Sequence, residues 1–167
     1  MKYASFYFFI LIPFICLSQD SSLFVNKLPA VTLKTLDGKL ISTSELNNNG
    51  KPMVVCFWKI CCKSPGELLN AISDDYDEWV DETGVKLYAV SVDDSRNSNR
   101  IAPFVAGNGW EFEILLDYNS DFKRAMNVNI LPHTIIINGK GEIIWEKSSY
   151  QNGDEEIIFE KIKEIAN

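Results

Sequence analysis

Apolar and polar residues follow two different periods along this chain, and the switches between periods mark its elements. Residues 30–43 alternate as VTLKTL, pass through Asp37-Gly38, and return as KLIST, which predicts a β-hairpin. A polar connection follows over residues 45–51, with Asn47-Asn48-Asn49-Gly50 at its centre. Residues 53–58 read MVVCFW, a continuous apolar run expected of a central strand covered on both faces. The period then changes. After Ser64-Pro65-Gly66-Glu67, the residues Leu68, Leu69, Ile72, Tyr76, Trp79 and Val80 form a helical stripe that Gly84 closes.

Strand and helix patterns keep alternating beyond that point. VKLYAVSV over residues 85–92 predicts a strand, residues 100–106 a helix and residues 112–116 a short strand. A short helix is expected over residues 121–126. A strand over residues 134–138 turns through Gly139-Lys140-Gly141 and pairs back over residues 142–146. Residues 154–166 close the chain as an amphipathic helix, its buried face assigned to Ile157, Ile158, Phe159, Ile162 and Ile165. This order implies an α/β domain with a mixed sheet between helices.

The N-terminus follows neither period. Residues 6–17 read FYFFILIPFICL after a basic Lys2, too short for a membrane span of ~20 residues. The pattern fits the apolar core of a secretory signal, with residues 1–18 removed and residues 19–167 forming one exported domain. Membrane contact is then expected only through this leader, and the working compartment is periplasmic or otherwise extracytoplasmic. Composition narrows the function. With 46% hydrophobic and 23% charged residues the chain is not disordered, and a net charge of -7 argues against phosphate-backbone partners such as nucleic acids. Removal of the leader takes away Cys16 and leaves Cys56, Cys61 and Cys62, an odd number of thiols.

Two of those thiols stand between a buried strand and a helix, in VVCFWKICCKSPGELLN. A helix N-terminus presents unpaired N–H groups and the positive end of the dipole, both favourable to a thiolate. Cys62 is therefore the candidate nucleophile, and Pro132 in Ile130-Leu131-Pro132-His133-Thr134 a candidate cis proline. The FW pair followed four residues later by Cys62, the helix after it, and LPHT-III-NGKGEI resemble the thioredoxin superfamily, more narrowly its exported TlpA/ResA-type members. Leu28-Pro29, LKTLDGKLIS and Gly50-Lys51-Pro52 are similar to the hairpin extension of those proteins. The resemblance implies a thioredoxin-like sheet and helices, with Cys62 as attacking cysteine and Pro132 as the cis proline facing it. It further implies protein thiols or disulfides, or an external thiol reductant, as partners, and no cofactor.

The motif departs from that pattern at one position: Pro65 stands where a CxxC carries its second, resolving cysteine. Cys61 is either a flanking thiol or a redox partner for Cys62, although closing so small a ring distorts the peptide between them. Cys56, in the strand, reads as a small buried hydrophobe. Trp58 is expected to wall the site, the other tryptophans to cover core edges. His133 is assigned to substrate contact or proton relay next to Pro132, with an inert exposed loop position as its alternative. Adjacent cysteines are poorly spaced for two ligands on one ion, so no metal is implied. Thiol–disulfide exchange through Cys62 leads. A non-catalytic peptide-binding module is the second reading, and a thiol peroxidase, for which Lys59 replaces the usual Thr, the third.

Overall fold

A computed structural model describes residues 27–166, so the leader expected over residues 1–18 lies outside the described residues. The strands are β1 (Thr32–Thr35), β2 (Leu40–Ser42), β3 (Met53–Trp58), β4 (Lys86–Ser91), β5 (Glu113–Leu116), β6 (His133–Ile137) and β7 (Ile143–Ser148). The helices are α1 (Lys63–Thr83), α2 (Ser98–Gly107), α3 (Asp121–Ala125) and α4 (Asp154–Ala166). The strands form one mixed sheet in the order β2-β1-β5-β4-β3-β6-β7, a thioredoxin-like α/β arrangement.

β3 is enclosed on four sides, as its unbroken apolar run requires. It pairs parallel with β4 through Val54↔Leu87 and antiparallel with β6 through Val54↔Ile136. Its side chains alternate between two cores. Val54, Cys56 and Trp58 pack with Leu68, Leu69 and Ile72 of α1 and Ile158 and Ile162 of α4. Val55 and Phe57 pack on the other face with Leu33 and with Phe122 of α3, whose ring centroid lies 5.0 Å from that of Phe57. The hairpin adds its strands to the sheet edge: β1 runs antiparallel to β5, with Lys34 opposite Leu116.

α1 runs from its N-cap, Cys62, to Gly84, which takes φ 63° and donates its N–H to the Val80 carbonyl at 2.7 Å. The apolar stripe is narrower than the pattern implied. Val80 and Ile157 are exposed, because each is the residue beside the stripe whose neighbour, Trp79 or Ile158, takes the inward direction. The acidic run Asp74, Asp75, Asp77, Glu78, Asp81 and Glu82 is exposed, as a solvated face should be. Two tryptophans far apart in sequence converge: Trp58 meets Trp110 edge-on at 5.0 Å and stacks on Phe104 at 5.7 Å. Among the described residues no helix is long and apolar enough to cross a membrane.

Phe122 is the plug of the α3 face, and truncating it leaves a void that a sheet paired on both sides cannot collapse into. We expect Phe122→Ala to cost about 3–5 kcal/mol. Leu40→Ala, at an exposed edge position, is expected to stay within about 0.5 kcal/mol. Urea unfolding midpoints of the two variants at equal slope check the contrast.

Candidate thiol site

The register of the sheet brings the cysteine loop and the proline loop to one end. β3 ends at Trp58, whose carbonyl accepts the Val92 N–H at 2.9 Å just past β4. On its other side Phe57 pairs with His133, so the cis Leu131–Pro132 bond lies level with the strand end. The chain then turns, with the Cys62 N–H donating to the Lys59 carbonyl at 3.1 Å, and enters α1. Cys62 is the half-buried N-cap in an extended conformation and makes no side-chain cap bond. Cys61 is exposed, and its Sγ lies 3.6 Å from the Cys62 Sγ. Pro65 sits buried in the first turn of α1, where its missing N–H would have had no helical partner.

A buried carboxylate underlies this loop, and sequence reasoning passed over it. Asp93 is 1% exposed; its Oδ2 accepts the Ile60 N–H at 3.0 Å and the Ser91 hydroxyl at 3.0 Å. Its signal was available as an acid directly after the apolar run of β4, where a solvated side chain is not expected. Asp93 both ties down the residue before the cysteines and adds a negative charge near them. The helix N-terminus favours a thiolate at Cys62. Partial burial, the Cys61 sulfur and the Asp93 charge oppose it, Lys59 compensates in part, and the thiol is held above its ordinary range.

The other sequence-predicted residues fall elsewhere. Trp58, expected to wall the site, is fully buried on the α1 face beneath Phe104 and Trp110, so it supports the loop from below and offers substrate no surface. Strand alternation is the reason: Trp58 shares its face with Val54 and Cys56. His133 is neither in an exposed loop nor turned toward Cys62. It opens β6 and shares the α3 face with Ile135 and Ile137. There Nδ1 lies 2.8 Å from the Ser148 hydroxyl, and Nε2 is 3.6 Å from Glu146. Burial lowers its pKa more than Glu146 raises it. Cys56 is fully buried, receives the Thr134 hydroxyl at 3.7 Å, and burial pushes its thiol up to about 12. It is packing, as its strand position implied.

Two measurements follow from these charges. Removing the Asp93 charge while keeping its acceptor oxygen, Asp93→Asn, is expected to move the onset of Cys62 alkylation to lower pH. Iodoacetamide rates across pH 7–10 on the variant and the parent check it. An unchanged onset would remove Asp93 from the electrostatics of the site. For His133 the folded pKa is below the unfolded one, so the unfolded state binds more protons between them. Stability is then complete above about pH 6.5 and declines as pH falls through that window. His133→Asn should flatten this decline, read as the difference in urea midpoints between pH 7.5 and pH 5.5.

Comparison with known proteins agrees with this geometry. Residues 25–146 match the AhpC/TSA family. The chain is 30% identical over 117 residues to sporulation thiol-disulfide oxidoreductase A of Bacillus subtilis, a match covering 69% of this chain and 68% of that protein. It is 28% identical over 116 residues to the thiol-disulfide oxidoreductase ResA of the same organism, covering 70% of this chain and 62% of ResA. The match thus spans about two thirds or less of each of these relatives. A thioredoxin-like protein from Porphyromonas gingivalis superposes with a TM-score of 0.76 at 45% identity, covering 83% of this chain and 91% of that one. The chain belongs to the AhpC/TSA family, as a thioredoxin-fold relative of the thiol-disulfide oxidoreductases.

Proposed function

We propose that the protein carries out thiol–disulfide exchange on protein cysteines through Cys62, in an extracytoplasmic compartment. The observation that carries this reading is the placement of Cys62. It is a half-exposed thiol at the N-cap of α1, at the sheet end that also bears the cis Leu131–Pro132 bond. A nucleophilic sulfur there has the free backbone N–H groups of the first helical turn ahead of it, and the half-buried Leu131 precedes the buried Pro132 at the same sheet end. Ile130, 57% exposed two residues before Pro132, supplies an apolar contact suited to an unfolded or extended protein segment. The extracytoplasmic compartment is supported by the signal-like residues 1–18.

The attacking step needs only the Cys62 sulfur. The Cys62 thiolate attacks one sulfur of a substrate disulfide, a mixed disulfide forms, and the other substrate sulfur leaves as thiolate. Because Cys62 is held above the usual thiol range, its attack is expected to quicken as pH rises through neutrality.

The test uses a peptide carrying an activated disulfide. Cys62→Ser is expected to lower the rate of protein–peptide mixed-disulfide formation by about a hundredfold or more. Cys56→Ala is expected to leave that rate within about twofold, since its sulfur is sealed in the core. A Cys62→Ser protein that forms the adduct at the parent rate would overturn the assignment and leave a peptide-binding module without catalysis.

A further inference from the structure

Exchange through Cys62 leaves one step without an agent: release of the mixed disulfide. The position that would hold a resolving thiol in CxxC is occupied by the buried ring of Pro65. Cys56 is enclosed beneath α1 and is not free to reach the surface. We propose that Cys61 and Cys62 form a vicinal dithiol/disulfide couple, with Cys61, its Sγ 3.6 Å from that of Cys62, acting as the second redox thiol. This inference rests on the assignment of Cys62 as the exchanging thiol.

Three features of the loop permit closure. The Cys61–Cys62 peptide lies outside the hydrogen-bond ladder of α1, because Cys62 is the cap and not a helical residue, so a twist there gives up only the turn bond from the Cys62 N–H to the Lys59 carbonyl. The loop is anchored upstream by the Ile60 N–H on Asp93 and downstream by buried Pro65 and Leu68, so the two sulfurs stay in register while the peptide between them twists. Cys61 is exposed, so its thiolate is solvated whenever the ring opens.

Covalent geometry also decides which way the couple runs. Adjacent Cα atoms are about 3.8 Å apart across a trans peptide. Ordinary disulfides span about 4.4–6.8 Å, and bridges outside that range are strained and more readily reduced. The closed ring is therefore an electron acceptor. A substrate thiolate attacks the Cys62 Sγ, the Cys61–Cys62 bond breaks, and Cys61 leaves with the electron pair and takes a proton from water. A second substrate thiolate attacks the substrate sulfur of the mixed disulfide. The substrate disulfide forms, and Cys62 leaves and is protonated. Two electrons and two protons have passed from the substrate dithiol to the couple. A partner disulfide recloses the ring by the reverse steps: Cys62 attacks it, Cys61 attacks the Cys62 sulfur, and the partner departs as a dithiol.

Oxidised glutathione, acid quenching, alkylation and tryptic mass spectrometry test the proposal. Cleavage after Lys59 and Lys63 isolates Ile60-Cys61-Cys62-Lys63 as one peptide. In the parent protein this peptide is expected two hydrogens lighter and unalkylated, with little glutathione retained. In Cys61→Ser, a change at an exposed position, glutathione should persist on Cys62 on the order of tenfold longer, because intramolecular release is lost. Equal persistence in parent and variant would overturn the couple while leaving Cys62 as the exchanging thiol. Glutathione carried by Cys61 instead would overturn it too. Absence of any adduct or ring in both proteins would overturn the underlying exchange assignment instead.

Discussion

The pairing of β3 on both edges is the constraint from which the rest of the molecule follows. With β4 parallel on one side and β6 antiparallel on the other, every backbone polar group of the strand is committed to the sheet. Its side chains must then divide between two apolar layers, one roofed by α1 and α4 and the other closed by α3 and the hairpin. The strand cannot shift by one residue without exchanging Phe57 for Trp58 across the sheet. Its end is therefore fixed, and the loop that leaves it emerges beside the cis proline on one side and Asp93 on the other.

That loop holds opposing electrostatic influences in a small volume. The first turn of α1 offers free N–H groups to a negative sulfur, while the Asp93 carboxylate accepts the Ile60 N–H beneath the two cysteines. Burial is the largest influence against the thiolate, the neighbouring sulfur and the Asp93 charge add to it, and the sum keeps Cys62 protonated more readily than an ordinary cysteine. Helix position alone would have suggested an acidic thiol. The difference arises first from the burial that packing imposes on the thiol and then from the Cys61 sulfur beside it, with Asp93, just past the end of β4, adding its charge once β4 borders β3. A carboxylate able to accept the Ile60 and Ser91 hydrogen bonds also holds the loop in place, so anchoring and charge come from the same side chain.

Legibility varied with how local the cause was. The limits of β3 matched the apolar run residue for residue, and α4 ran over 154–166 as expected, because both depend on period and caps within their own segments. β6 began one residue early, at His133, since pairing with Phe57 extends the ladder to the proline. Cys62 at the N-cap, the cis peptide at Pro132 and the packing role of Cys56 were also legible, each from its place at the end or middle of a predicted element. Trp58 and His133 were assigned to the site because they adjoin it in sequence. Alternation along a strand sends such neighbours to definite faces, and it sent Trp58 under the aromatic cluster and His133 to Ser148 and Glu146.

By itself the amino-acid sequence determined the α/β order of elements, the covered central strand and the thiols at a strand-to-helix junction. These are properties of composition and period along one segment at a time. Only the tertiary structure decided that Asp93 underlies the cysteines, that Trp58 meets Trp110, and that the sulfurs of Cys61 and Cys62 stand 3.6 Å apart. The first two depend on which strands become neighbours in the sheet. The third depends on side-chain directions in a turn held at both ends by the fold, and no periodicity along the chain encodes any of them.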